Sequence, residues 1–174
     1  EKLLNWYQEN KRDLPWRHTS DPYAILVSEI MLQQTRVDTV ISYYHRFLER
    51  FPTAASLAQA DEDQVLNLWK GLGYYSRAEN LQKAAKVIHL EYGGQFPAGF
   101  EQVRALPGVG DYTAGAIMSI AFHQPCPAVD GNVLRVIARI FGVEDDIALL
   151  ETKKQITGIV REMIPKEHAG DFTQ

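Results

Sequence analysis

Almost nowhere along these 174 residues do apolar and polar side chains alternate in the two-residue period of a half-buried strand. They recur at three and four, between sharp stops. That pattern restricts the chain to helices packed on helices. The spacing predicts a first helix over 1–11, with Leu3, Leu4, Trp6 and Tyr7 on one side. Asp21-Pro22, a capping residue and a proline at the first helical position, opens a second helix running to about Gln34. A third covers about 37–51 and stops at Pro52, and short helices follow near 55–59 and 62–70. Gly71 and Gly73 bracket the turn GLGYY. A long helix over about 76–92 ends at Gly93-Gly94. Helices over 100–106, 111–122, 130–141 and 152–164 follow. A last one begins near His168 and is cut by the chain end, which points to a longer protein. Short helices and sharp turns give an all-α expectation of orthogonal type rather than a long bundle.

Composition adds exclusions. Hydrophobic residues make up 45% and charged residues 23%, an ordinary globular balance. No apolar run approaches membrane-crossing length, and the first residues lack the basic-then-apolar layout of a signal peptide. Cys126 is the one cysteine, so no intrachain disulfide forms; this fits a reducing compartment and a buried structural thiol. The net charge of −4 argues against a broad nucleic-acid footprint. Locally, however, 68–88 carries Lys70, Arg77, Lys83 and Lys86 against Glu79, an excess of +3. A solvated helix face is the plain reading of that run, and contact with a polyanion is the other.

Two carboxylates stand out. On a helix, Glu29 has Ile25, Leu26, Leu32 and Gln33 as neighbours, which puts it on an apolar side with Ser28 and Gln34 well off it. Burial of that carboxyl raises its pKa toward the neutral form, as general acid catalysis requires. A buried Glu paired with an arginine or a backbone group is the equal alternative. Asp130 precedes an amphipathic helix bearing Val133, Val136, Ile137 and Ile140, and taken alone it reads as an N-cap. One greasy and one polar carboxylate also suit glycosidic cleavage, one protonating the leaving group and the other facing the sugar cation.

Leu106-Pro107-Gly108-Val109-Gly110 joins two short helices. Its two glycines permit positive φ and close backbone approach; a plain tight turn between helices is one reading, and an anion site at the unsatisfied N–H groups, with a DNA phosphate as one candidate, is the favoured one. The small residues of the following helix, DYTAGAIMSIAF, allow the two helices to pack tightly.

Together, SEIMLQQTRV, GLGYYSRAENL, LPGVGDYTAGAI, VDGNVLRVIAR and the LPW at Leu14–Trp16 resemble adenine DNA glycosylases of the MutY type, in the helix-hairpin-helix superfamily that includes endonuclease III. The resemblance covers essentially the whole chain. It implies base-excision repair: hydrolysis of the N-glycosidic bond of adenine mispaired with 8-oxoguanine or guanine, after base flipping. Glu29 matches the acid that protonates adenine at N7, Asp130 the aspartate facing the oxocarbenium-like state, and Tyr112 and Asn132 the residues assisting near the sugar. Trp16, Arg17, Leu32 and Val37 fall where the family lines its adenine pocket. Gln34 matches an amide entering the duplex and Tyr74 an aromatic wedge. Gln33, Thr35, Leu72, Pro107, Gly108, Val109 and Gly110 complete the expected DNA-binding set. The partner implied is double-stranded DNA with an adenine mispair, bound by a monomer in a bacterial-type cytoplasm, associated with the nucleoid and not with a membrane.

The same resemblance divides the chain into a six-helix barrel lobe over 21–135, with the hairpin at about 100–122, and a second helical lobe made of 1–20 and 136–174. The active site is expected in the cleft between them. Bifunctional relatives carry a lysine where Tyr112 stands, and no lysine occurs between Lys86 and Lys153. A monofunctional hydrolase is expected. The alternatives are a non-enzymatic helix-hairpin-helix DNA-binding module and an endonuclease III-like lyase on oxidised pyrimidines. Full-length relatives carry a four-iron cluster on four cysteines and a further domain reading 8-oxoguanine. One cysteine cannot hold such a cluster, and no metal ligand set is assigned. A cation at the hairpin backbone is a further feature the resemblance implies.

Overall fold

The computed structural model describes residues 2–174. Glu1, placed in the first helix from sequence, lies outside the described residues. Eleven α-helices succeed one another among the described residues: α1 (Lys2–Asn10), α2 (Pro22–Leu32), α3 (Val37–Arg50), α4 (Ala54–Ala58), α5 (Glu62–Trp69), α6 (Ser76–Glu91), α7 (Phe100–Arg104), α8 (Asp111–Ile120), α9 (Gly131–Phe141), α10 (Leu150–Met163) and α11 (Ala169–Thr173). A single 3-10 turn at Pro15–Arg17, which the periodicity did not reveal, sits between α1 and α2. The all-α expectation holds.

The stops are chemical. Asp21 accepts the Tyr23 N–H at 3.0 Å and Pro22 fixes the first helical φ of α2. Thr53 and Ser56 close a capping box on α4. Gly94 returns its N–H to the Ile88 carbonyl at 3.0 Å from a positive φ, which ends α6. Helix α2 stops two residues earlier than the apolar run suggests: Leu32 is its last residue, Gln33 caps it, and Gln34 turns out at φ +58.

Two apolar clusters form. The larger gathers residues from Leu14 to Met118 around α2, which is packed by α3, α6 and α8. The smaller comprises Leu134, Ile137, Ile156, Val160, Ile164 and Ala169, from α9, α10 and α11. Leu14 and Trp16 are buried in the larger cluster, although the sequence reading grouped 1–20 with the C-terminal helices; from that segment α1 packs on α11 and Arg17 bonds to the Gln174 carbonyl. On α1, Tyr7 alone is buried and Trp6 is 59% exposed, so the expected one-sided apolar face is not covered among the described residues.

Helix α8 runs between the clusters, touching α2 and α7 and also α11. Its small residues have a wider use than tightening the hairpin. A Cβ on Gly115 would lie 2.0 Å from the Pro127 carbonyl oxygen, and one on Gly170 3.1 Å from the Ser119 carbonyl oxygen. Backbone therefore passes against backbone on two sides of α8.

Candidate active site

Helix α2 has no polar face. From Tyr23 to Leu32, only Glu29 and Leu32 escape full burial. Ser28, expected well off the apolar side, is buried and donates its hydroxyl to the Ile25 carbonyl at 2.8 Å. The reason is tertiary: neighbours surround α2, and the one aperture in that wall lies over Glu29 and Leu32. It opens on a cavity of about 160 Å³. A cavity of roughly 150 Å³ accommodates a benzene ring, so the space is on the scale of one planar base.

Trp16, Arg17, Leu32 and Val37 all line this cavity, with Glu29 and Tyr112. Trp16 is fixed edge-on to Tyr44, with ring centroids 5.5 Å apart. Arg17 donates to the carbonyls of Arg12 and Gln174, each at 3.1 Å, and lies over the Tyr7 ring. It is therefore a strut of the wall. Leu14, Ser28 and Ala116 also line the cavity and were not singled out from sequence. Ala116 had a readable signal, since it lies four residues after Tyr112 on α8.

The Glu29 carboxyl is pushed up to about 7. Burial is the main cause; the neighbouring Tyr112 side chain opposes it, and the Asp130 charge adds to it. Burial and the neighbouring Glu29 and Asp130 charges hold the Tyr112 phenol well above its ordinary range. It stays a proton donor.

Asp130 caps α9, accepting the N–H groups of Asn132 at 2.9 Å and Val133 at 2.8 Å with one oxygen. The Asn132 amide donates to the other oxygen at 3.0 Å, and Arg135 donates to the Asn132 Oδ1 at 2.5 Å. The plain N-cap reading is thus satisfied, and the carboxylate is oriented by it. Asp130 does not line the Glu29 cavity. It lines a neighbouring cleft with Lys153, Lys154 and Arg161 from α10, and Tyr112 belongs to both walls. A group held in the first cavity and extending past Tyr112 would meet Asp130.

At the surface, Gln34 and Tyr74 are exposed, both at positive φ (+58 and +48), a rare conformation for side chains that large. Gln33 and Gln34 lie after α2, not on it. Within the expected DNA-binding set, Leu72 is 6% exposed and Val109 9%, and both side chains pack in the larger apolar cluster. In the hairpin, Gly108 at φ +78 follows Pro107, and the Val109 N–H closes on the Leu106 carbonyl at 3.0 Å. Gly110 differs from expectation: it is extended, at φ −104, and caps α8 with no side chain, leaving the first N–H groups bare. The basic run is also smaller than counted, because Arg77 is buried.

Cys126 lies between α8 and α9, and one thiolate cannot replace the four that an iron–sulfur cluster needs. The residues present do not fit such a group. Among the described residues, no three His, Cys, Asp or Glu side chains converge on a metal position.

A glycine hairpin, a base-sized cavity with the raised Glu29 carboxyl in its lining and a capped aspartate in the adjoining cleft thus share one helical frame. The chain belongs to the HhH-GPD superfamily of base excision DNA repair proteins, whose family model matches residues 27–166. It is 45% identical to the adenine DNA glycosylase of Homo sapiens over 181 residues, covering 99% of this chain and 33% of that protein. It is 41% identical to the adenine DNA glycosylase of Buchnera aphidicola subsp. Acyrthosiphon pisum (strain APS) over 173 residues, covering 99% of this chain and 49% of that protein. The chain thus spans a third to a half of these relatives. A solved thermostable thymine-DNA glycosylase superposes with a TM-score of 0.89 at 33% identity, over 98% of this chain and 79% of that one.

Proposed function

We propose that the chain is the catalytic part of an adenine DNA glycosylase, a monofunctional hydrolase acting on adenine opposite 8-oxoguanine or guanine in duplex DNA. The observation that carries this reading is the Glu29 carboxyl, raised to about 7 in the floor of a cavity lined by Trp16, Arg17, Leu32, Val37 and Tyr112. A carboxylic acid still protonated near neutral pH can protonate a base and turn it into a leaving group.

In this mechanism the adenine is extruded from the stack and enters the cavity. Gln34 and Tyr74 occupy the space it leaves, and the bare N–H groups at Gly110 and the start of α8 grip a backbone phosphate. Glu29 donates its proton to the base. As the glycosidic bond breaks, positive charge develops on the sugar, and the ionised Asp130 faces it. Asn132 and the N–H groups of α9 hold that carboxylate in place. Water completes the hydrolysis. No lysine stands at the hairpin helix to form a Schiff base, and Tyr112 occupies that place. A cation at the hairpin carbonyls belongs to the same proposal; the Leu106 carbonyl already accepts the Val109 N–H, and no step passes through an ion.

The test is single-turnover base release from duplexes carrying one 8-oxoguanine·adenine or one guanine·thymine pair, with the Glu29→Gln variant alongside. Adenine release by the parent and none by the variant supports the reading. Thymine release would replace adenine as the substrate, and binding without release would leave a DNA-binding module. Strand nicking that accompanies release would indicate a lyase.

A further inference from the structure

Arg77 is buried on α6 with no carboxylate beside it. Isolated buried charges are strongly unfavourable unless they are paired and hydrogen-bonded. Here five carbonyl oxygens and one hydroxyl compensate at the two terminal nitrogens, while the buried Nε has no partner. One terminal nitrogen, Nη1, donates to the carbonyls of Ile30 at 3.1 Å, Met31 at 2.9 Å and Gln33 at 2.5 Å. The other, Nη2, donates to the Leu72 and Gly73 carbonyls and to Thr35 Oγ1, each at 3.1 Å. Ile30 and Met31 are in the last turn of α2, where carbonyls have no helical partner and carry the negative end of the helix dipole. A guanidinium is suited to this because its donors form a rigid planar fork.

Apart from Ile30 and Met31 in α2, the acceptors lie in two different loops, and Nη2 bonds to both of them, through Thr35 in one and Leu72 and Gly73 in the other. One is 33–35, which presents Gln34; the other is 72–74, which presents Tyr74. The guanidinium also lies 5.6 Å from the Tyr74 ring centroid and 5.5 Å from that of Trp69. Trp69 donates its indole N–H to the Gly73 carbonyl at 3.2 Å, so the second loop is held from below twice. Both presented side chains are exposed and have positive φ, and the Arg77 guanidinium bonds to both loops at once.

We propose that Arg77 is a positioning residue for base extrusion: it clamps the two loops at a fixed separation, so that Gln34 and Tyr74 enter the duplex as one rigid wedge. The proposal rests on the glycosylase reading for its substrate, but not on the chemical step. Extrusion should depend on Arg77 most where a paired, stacked adenine must be removed, and least where no base opposes it.

The experiment compares the parent chain with Arg77→Lys, which keeps the charge but not the fork, and Arg77→Met, after thermal unfolding of each. Two readouts are taken. The first is fluorescence of 2-aminopurine placed beside the target adenine, which brightens on unstacking without any bond being cut. The second is single-turnover adenine release from an 8-oxoguanine·adenine duplex and from one with an abasic gap opposite the adenine. Arg77→Lys is expected to lose most of the brightening at saturating protein. Its release should fall about tenfold or more on the paired duplex, and within about threefold on the gapped one. Equal losses on both duplexes, or unchanged brightening, would overturn the proposal and leave Arg77 a fold residue. If the parent releases no adenine, the functional reading fails; the brightening of parent against Arg77→Lys then decides the clamp alone. Should Arg77→Met not fold, Arg77→Lys carries the test.

Discussion

Tyr112 on α8 and Glu29 on α2 line the same cavity where the two helices pack, and the influence of the Tyr112 side chain on the carboxyl works against the burial that raises Glu29 to about 7. The acid is therefore set by two opposed effects. Burial makes it weak enough to be protonated near neutral pH, and the hydroxyl keeps it from becoming weaker still. Asp130 adds its charge from the adjoining cleft.

Glu29 links activity and stability to pH in the same window. Its folded pKa lies above the ordinary value of 4.5, so the folded chain binds more protons than the unfolded one between about 4.5 and 7. The stability contribution is complete below that window and is lost as pH rises through 7, by up to about 3 kcal/mol. Glu29→Gln has no charge to bury. Thermal unfolding should show the variant gaining on the parent from pH 5 to pH 8, while adenine release by the parent falls above pH 7.

Replacing Tyr112 by Phe removes the one influence that lowers the Glu29 pKa. The alkaline limb of the adenine-release profile should move to higher pH. A limb that stays put would mean that the hydroxyl does not act on the acid.

At Asp130, cap and chemistry can be separated. Asn retains an oxygen for the Asn132 and Val133 N–H groups, so Asp130→Asn should unfold within about 0.5 kcal/mol of the parent, whereas Asp130→Ala should lose about 1 kcal/mol. Both should lose adenine release by about a hundredfold, since neither offers a charge to the sugar. Chemical denaturation and single-turnover rates give the two readings.

The two hairpin glycines should answer differently to alanine. At Gly108, with φ +78, a Cβ would lie 2.9 Å from the Asn80 Cβ, so Gly108→Ala should cost about 1 kcal/mol of stability or more. At Gly110 the backbone is extended and the space is open, so Gly110→Ala should fold normally. If the bare N–H groups there grip a phosphate, its affinity for duplex DNA should nonetheless fall, as measured by fluorescence anisotropy at fixed salt.

The sequence by itself determined the helices, because their limits are local chemistry. Asp21-Pro22, Thr53, Gly93-Gly94 and Asp130 start and stop helices through bonds to residues within six positions. It also singled out Glu29, since a carboxyl in an apolar run is conspicuous without a structure. Only the tertiary structure decided what the carboxyl faces. Periodicity describes a helix as one apolar and one polar side, and α2 is buried all round except at one opening, which three other helices and the 3-10 turn define. Arg77 shows the same limit most clearly. In sequence it is one more basic residue on a helix; in the fold it is buried, and its partners lie up to 47 positions away on the chain. No local rule reads such a residue, because its charge is compensated by backbone carbonyls that packing alone brings to it.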